Sequence, residues 1–121
     1  MNRKLYPLCE NHMFSKTYRK GKSATNKYVA VYVLKNYKKQ KDGSAYPTRL
    51  GISVNAKLGK AVKRNRVKRL IREAYGSFVP RLNDGNFVVI AARGAIFGKN
   101  VKSTQVRDAL ENTLVSLEVI K

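Results

Sequence analysis

Hydrophobic and polar positions alternate along two stretches in the first half of the chain. Residues 28–34 and 49–54 carry an apolar side chain at every second position, and the first stretch is rich in β-branched and aromatic residues. This period of two predicts a pair of strands, each with one apolar side and one side available for polar contact. The predicted core-facing residues are Val29, Val31, Val33, Leu50, Ile52 and Val54.

Three other segments have the spacing of amphipathic helices. They span residues 11–20, residues 60–75, and a segment that begins near the cap candidates Ser103 and Thr104. Residues 87–92 are almost continuously apolar, which is typical of a central strand buried on both faces. The order helix, strand, strand, helix, strand, helix predicts an α+β sandwich in which helices pack on a small mixed sheet.

The composition adds a strong positive charge to this picture. The chain has 121 residues, with 26 Lys and Arg against 7 Asp and Glu, and a formal net charge of +19. A hydrophobic fraction of 43% leaves enough apolar residues for a folded core. The length fits a single domain over residues 1–121. Because such a charge repels itself, we expect a polyanionic partner, either nucleic acid or an anionic membrane surface.

The membrane alternative is the weaker one. The chain contains no apolar run of the roughly 18 residues that span a bilayer, and its N-terminus lacks the apolar run of a signal peptide. The single cysteine, Cys9, cannot form an internal disulfide, which fits a reducing compartment. We therefore expect a cytoplasmic protein.

The densest charge falls on the second predicted helix. Its apolar residues occupy one arc of about 100°, and a polar set lies nearly opposite. Only Glu73 offers a local counter-charge, so a polyanionic ligand is favoured over a merely solvated face. Arginine can bind phosphate through two hydrogen bonds, and asparagine can contact a base edge or a ribose hydroxyl. The apolar set is Val67, Leu70, Ile71 and Ala74; the polar set is Asn65, Lys68, Arg69 and Arg72, flanked by Arg64 and Arg66.

This segment also resembles a known family. Residues 63–73, Lys-Arg-Asn-Arg-Val-Lys-Arg-Leu-Ile-Arg-Glu, closely resemble the Arg-Asn-Arg helix of the protein subunit of bacterial ribonuclease P. Residues 49–54 with 57–59 are similar to that family's strand and turn, and residues 88–93 to its later strand. The N-terminal match consists of Phe14, Tyr18, Gly21 and residues 28–32. The long basic loop 35–48 departs from the family, and Tyr18 stands where other members often carry Phe.

The resemblance implies a single α+β sandwich of a type shared with a ribosomal protein domain, with a left-handed βαβ crossover that the usual connection rule would not predict. It implies a subunit that binds ribonuclease P RNA and the 5′ leader of precursor tRNA, and so promotes endonucleolytic removal of the leader. The RNA, with Mg²⁺ bound mainly to it, would carry the chemistry, and no membrane or second protein would be required. The residues implied to bind the RNA subunit are Lys60, Lys63, Arg64, Asn65, Arg66, Lys68, Arg69 and Arg72. Those implied to hold the leader are Phe14, Lys16, Tyr18, Ala30, Tyr32 and Lys57.

The residues themselves leave some alternatives open. Exposed aromatic side chains beside basic ones suit unpaired RNA, because stacking tolerates any base. Phe14 and Tyr18 could instead be core residues of the first helix, whereas Tyr32 lies opposite the strand's apolar side. The seven acids are scattered and His12 is the only histidine, so no catalytic site is evident in the chain. The main alternative is a ribosomal-type RNA-binding protein without a role in catalysis. An architectural DNA-binding protein is a second alternative, and a protein-only nuclease is the least favoured.

Overall fold

The computed structural model describes residues 6–8, 11–98 and 101–120, so Cys9 lies outside the described residues. It contains every predicted helix and strand and adds two short strands, and the predicted α+β class is confirmed. Three short 3₁₀ helices follow β4, α2 and β5. The elements in chain order are β1 (Tyr6–Pro7), α1 (Asn11–Lys20), β2 (Lys22–Thr25), β3 (Val29–Lys35), β4 (Arg49–Ser53), α2 (Ala61–Gly76), β5 (Asn86–Ala92) and α3 (Ser103–Ser116).

The five strands form one mixed sheet in the order β1-β4-β5-β3-β2. β5 is the middle strand, and Val88, Val89 and Ile90 are completely buried, as their apolar run predicts. It pairs in parallel with β4 and antiparallel with β3. Because α2 connects the parallel pair, β4, α2 and β5 form a βαβ unit; the left-handed sense of its crossover stays a prediction.

The two faces of the sheet are covered unequally. One face, here the core face, packs against both α2 and α3. This confirms the predicted alternation of β3 and β4, and burying each such aliphatic side chain contributes about 1.5–3 kcal/mol. The opposite face, here the α1 face, packs against α1. The completely buried members of the core are Val29, Val31, Val88, Ile90, Ile71, Val106, Leu110, Leu114 and Val119.

Two glycines let α1 lie close to the sheet. A Cβ at Gly51 would overlap the ring of Phe14, and a Cβ at Gly21 would lie 2.6 Å from the carbonyl oxygen of Val33. Between them Thr17 is completely buried, and its hydroxyl donates a hydrogen bond of 2.7 Å to the Met13 carbonyl. Gly21 follows the last residue of α1, which spans residues 11–20 as predicted. At α3 the prediction needs a correction, because the residue before the helix is Lys102 and its backbone N–H donates to the Gln105 side chain.

Candidate nucleic-acid interface

Helix α2 separates its apolar and basic residues as the spacing predicts. Val67, Ile71, Ala74 and Tyr75 are buried against the rest of the fold. The polar side of the helix is here called the basic face. Six of its members are exposed, and Arg64 and Lys68 are half-buried. The basic face consists of Lys60, Lys63, Arg64, Asn65, Arg66, Lys68, Arg69 and Arg72.

The charges of the basic face have no partners within the described residues. An ion pair of 2.6 Å joins Arg81 and Glu111, which belong to other elements. The first turn of α2 contains no acidic residue, and Lys60 makes no side-chain cap. The positive end of the helix dipole therefore adds to the charge of Lys60 and Lys63. Like charges three or four residues apart on a helix destabilise it, so this arrangement costs stability and favours a bound polyanion.

Arg64 differs from the other cations of the basic face. At about 100° per residue it lies only about 60° from Val67, on the margin of the buried side. Its Nε atom is buried and has no hydrogen-bond partner in the described part of the chain. The guanidinium is thus partly held against the protein, which leaves fewer orientations for its outward N–H groups.

A second set of functional candidates lies where α1 crosses the α1 face. The rings of Tyr18 and Tyr32 meet edge to face with centroids 4.7 Å apart, and Tyr18 remains 37% exposed. Phe14, one turn earlier, is half-buried over Gly51. Phe14 is therefore partly a packing residue, as the alternative reading allowed, while Tyr18 presents an accessible ring.

Beside these rings the sheet carries small side chains. Ala30, Ala91 and Ser53 are aligned across β3, β5 and β4, on the same face as Tyr32. Ala30 is buried, and the other two are half-buried. The channel between this row and the Tyr18 flank of α1 is here called the cleft. The rings of Tyr18 and Tyr32 border this cleft on the helix side, and small side chains form its floor.

Cations lie at the end of the cleft where β4 and β5 finish. Lys57 is exposed just after β4, and its backbone N–H donates 2.9 Å to the Asn55 side chain. Arg93 follows β5, is exposed, and donates 3.0 Å from its guanidinium to the Asn26 carbonyl. Sequence reasoning did not single out Arg93, although the alternation of β5 places it on the same side as Ala91.

The structure does not bring Lys16 into the cleft. Lys16 and Tyr18 are two positions apart, so their side chains point about 160° away from each other around α1. Lys16 instead lines a pocket on the opposite flank of the helix, together with Arg49 and Phe87. Lys16 therefore lies outside the cleft, and its contact with the leader stays a prediction. Phe14, Tyr18, Ala30 and Tyr32 do come together, and Lys57 lies at the same end of the sheet.

Two further observations limit the chemistry of the described residues. Within residues 6–8, 11–98 and 101–120, no group of three or more His, Cys, Asp or Glu side chains could hold a metal ion. None of the helices described is both long enough and apolar enough to cross a bilayer.

A basic helix whose cations make no ion pair with the described residues, together with an aromatic cleft on the other face of an α+β sandwich, defines a protein of the nucleic-acid-binding class. Comparison with known proteins gives the family. The family model for ribonuclease P matches residues 2–118. The chain therefore belongs to the ribonuclease P protein family and acts as a subunit of that enzyme, which implies an RNA partner in the holoenzyme.

Individual relatives are similar to this chain along most of their length. A ribonuclease P protein component of Clostridium acetobutylicum is 44% identical over 103 residues, covering 85% of this chain and 81% of the relative. A ribonuclease P protein component of Listeria monocytogenes is 35% identical over 119 residues, covering 98% of this chain and 93% of the relative. The structure of the Staphylococcus aureus RNase P protein aligns with a TM-score of 0.77 and 31% identity, over 98% of this chain and 100% of that chain. The structure of the RNase P protein from Thermotoga maritima aligns with a TM-score of 0.74 and 30% identity, over 91% of this chain and 94% of that chain.

Proposed function

We propose that this subunit binds the catalytic RNA through the basic face of α2 and holds the unpaired 5′ leader of precursor tRNA in the cleft. The observation that carries the proposal is the pair Tyr18 and Tyr32, whose rings meet at 4.7 Å beside the small-residue floor. Aromatic rings bind unpaired bases of any sequence, each stacked base contributing about 1–3 kcal/mol. A leader differs from one precursor to the next, so stacking suits it better than base readout.

The basic face suits folded RNA for a different reason. Arginine guanidinium groups form paired hydrogen bonds with phosphate. Arg66, Arg69 and Arg72 are exposed and make no ion pair with the residues that the structure describes. The basic face belongs to a helix on the core face of the sheet, whereas the cleft lies on the α1 face. One molecule can therefore bind the catalytic RNA and the leader at the same time.

The catalytic role follows from differential binding. Precursor tRNA has a leader and mature tRNA has none, so contacts in the cleft favour the substrate over the product. The chemistry would be carried by the RNA with Mg²⁺ bound mainly to that RNA, because no described cluster of side chains here fits a metal ion. The positive charge of the subunit would lower repulsion between RNA phosphates and so help Mg²⁺ to occupy the RNA site. No further protein partner is required.

The test is the ratio of precursor to mature tRNA affinity in the reconstituted holoenzyme. Replacing Tyr18 and Tyr32 by Ala should weaken precursor binding by about 5- to 150-fold per stacked base and leave mature tRNA binding unchanged. The matched controls are Tyr18→Phe and Tyr32→Phe, which keep both rings and should retain the wild-type ratio. Equal losses for precursor and mature tRNA would reject the assignment of the cleft to the leader.

A further inference from the structure

A second concave site lies on the other flank of α1. Its volume is about 600 Å³, within the range of roughly 300–1,000 Å³ that is typical of small-ligand pockets. Leu34 and Phe87 face each other across β3 and β5, with Arg49 next to Phe87 on β4. This site, here called the flank pocket, also includes Met13, Lys16, Lys35, Tyr37, Lys38 and Tyr46.

The flank pocket and the cleft are arranged on either side of α1. The helix lies over the row Tyr32, Val89 and Gly51, which pairs across β3, β5 and β4. The floor of the cleft is displaced from that row toward one end of the strands, and the floor of the flank pocket toward the other. Ser53 and Arg49, at opposite ends of β4, are about 13 Å apart along the strand. Because α1 lies between the two sites, an extended RNA strand that reaches both follows a longer path over the outer side of the helix.

The wall of the flank pocket comes from the loop that departs from the family. The sequence predicts a solvated basic loop here, but hydrogen bonds fix its ends to the turn before β5. The Gly85 N–H donates 2.8 Å to the Tyr46 carbonyl, and the Asn36 N–H donates 2.8 Å to the Gly85 carbonyl. The tip is closed by Asp42, whose carboxylate accepts from the Ser44 hydroxyl at 2.6 Å. This places Tyr37 and Tyr46, which are far apart in the loop, at the same pocket.

The chemistry of the flank pocket is that of a nucleotide site. Tyr37 is 78% exposed and Tyr46 37% exposed, so both rings are accessible at the flank pocket. Four of the described lining residues are Lys or Arg, and none of them is acidic. The Lys35 ammonium lies 5.7 Å from the centre of the Tyr37 ring. Exposed rings on an apolar floor with a cationic rim match a base and its phosphate.

We propose that the flank pocket binds one unpaired nucleotide of the leader, upstream of the nucleotides held in the cleft. This proposal rests on the proposed function. The N-terminal turn of α2 is joined by a short 3₁₀ helix to the end of β4 that borders the cleft, so a strand leaving the catalytic RNA reaches the cleft first. It then passes α1, whose outer side carries the exposed residues Ser15 and Arg19, before it reaches the flank pocket. The phosphate would lie near Lys16 and Arg49.

The test compares precursors that differ only in leader length, bound to the reconstituted holoenzyme. One leader ends within the cleft and the other extends beyond α1. The variant is Tyr37→Ala with Tyr46→Ala, and Arg49→Ala tests the phosphate contact. Arg107→Ala is the charge-matched control, because Arg107 is exposed on α3, which packs on the core face. Tyr18→Ala is the control for the cleft.

The wild-type holoenzyme should bind the long-leader precursor more tightly than the short one. The double tyrosine variant should lose about 5- to 150-fold in affinity for the long-leader precursor only. Arg107→Ala should leave the ratio of long-leader to short-leader affinity unchanged. The proposal is overturned if lengthening the leader adds no affinity, if the double variant weakens both precursors equally, or if it weakens binding of the catalytic RNA alone. Failure of the proposed function would give a different result, because Tyr18→Ala would then leave the affinity for both precursors unchanged.

Discussion

Replacing Arg72 by Gln should stabilise the protein while weakening its binding to RNA. Arg72 is exposed and has like-charged neighbours at Lys68, four residues before it, and at Arg69, three residues before it. Each such repulsive pair costs about 0.2–0.5 kcal/mol, so removing both should raise the free energy of unfolding by about 0.4–1 kcal/mol at low salt. Glutamine has nearly the helix propensity of arginine, so the backbone contributes little to the difference.

The same change should remove one phosphate contact. A hydrogen bond to a charged group contributes about 1.5–3 kcal/mol, which corresponds to roughly a 10- to 150-fold loss of affinity for the catalytic RNA. The slope of log affinity against log salt should also become less steep by about one unit. Stability is measured by urea unfolding at low and high salt, and affinity by titration of ribonuclease P RNA across a salt series.

Arg107→Gln is the control for charge alone. It removes the same charge from the surface of α3 and should leave the salt slope for RNA unchanged. If Arg72→Gln instead destabilised the fold by more than 1 kcal/mol and bound RNA as tightly as wild type, the charge of α2 would have to be structural, and the assignment of the basic face would be refuted.

Two further predictions concern packing. Gly51→Ala should place a methyl group in the position of the Phe14 ring, lowering the free energy of unfolding by about 1–3 kcal/mol and weakening leader binding; urea unfolding with wild-type stability would contradict the close packing of α1. Tyr75→Phe should raise the free energy of unfolding by about 1 kcal/mol, because the Tyr75 hydroxyl is buried without a partner among the described residues and burial raises its pKa, so it stays neutral. A loss of stability in Tyr75→Phe would indicate that the hydroxyl is hydrogen-bonded.

Periodicity predicted the parts of the fold that are amphipathic. Val29, Val31 and Val33 share the core face, and Val67 and Ile71 anchor α2, because alternation and helical spacing record which side of an element is buried. Strand β2 was missed, since Lys22–Thr25 is mostly polar and exposed and pairs only with β3 at the sheet edge. Its formation depends on the neighbouring strand, which local sequence does not encode.

The site was predictable where it lies on one element. The exposed positions of α2 follow from the helical pattern, and the same reasoning, applied to α1, would have separated Lys16 from Tyr18. The flank pocket was not predictable, because Leu34, Arg49 and Phe87 become neighbours only through the register of three strands. Likewise, the loop between β3 and β4 looks like solvated chain until its hydrogen bonds to Gly85 are known.

The central proposal is that this chain strengthens the binding of precursor tRNA to a catalytic RNA and does not itself perform the chemistry. The most direct measurement is 5′ cleavage of precursor tRNA at low Mg²⁺ by a bacterial ribonuclease P RNA, alone and with the purified chain. Added chain should restore accurate removal of the leader that the RNA alone performs poorly, and an RNA-free reaction should show no cleavage. Cleavage by the chain without RNA, or no effect of the chain on the RNA, would contradict the account.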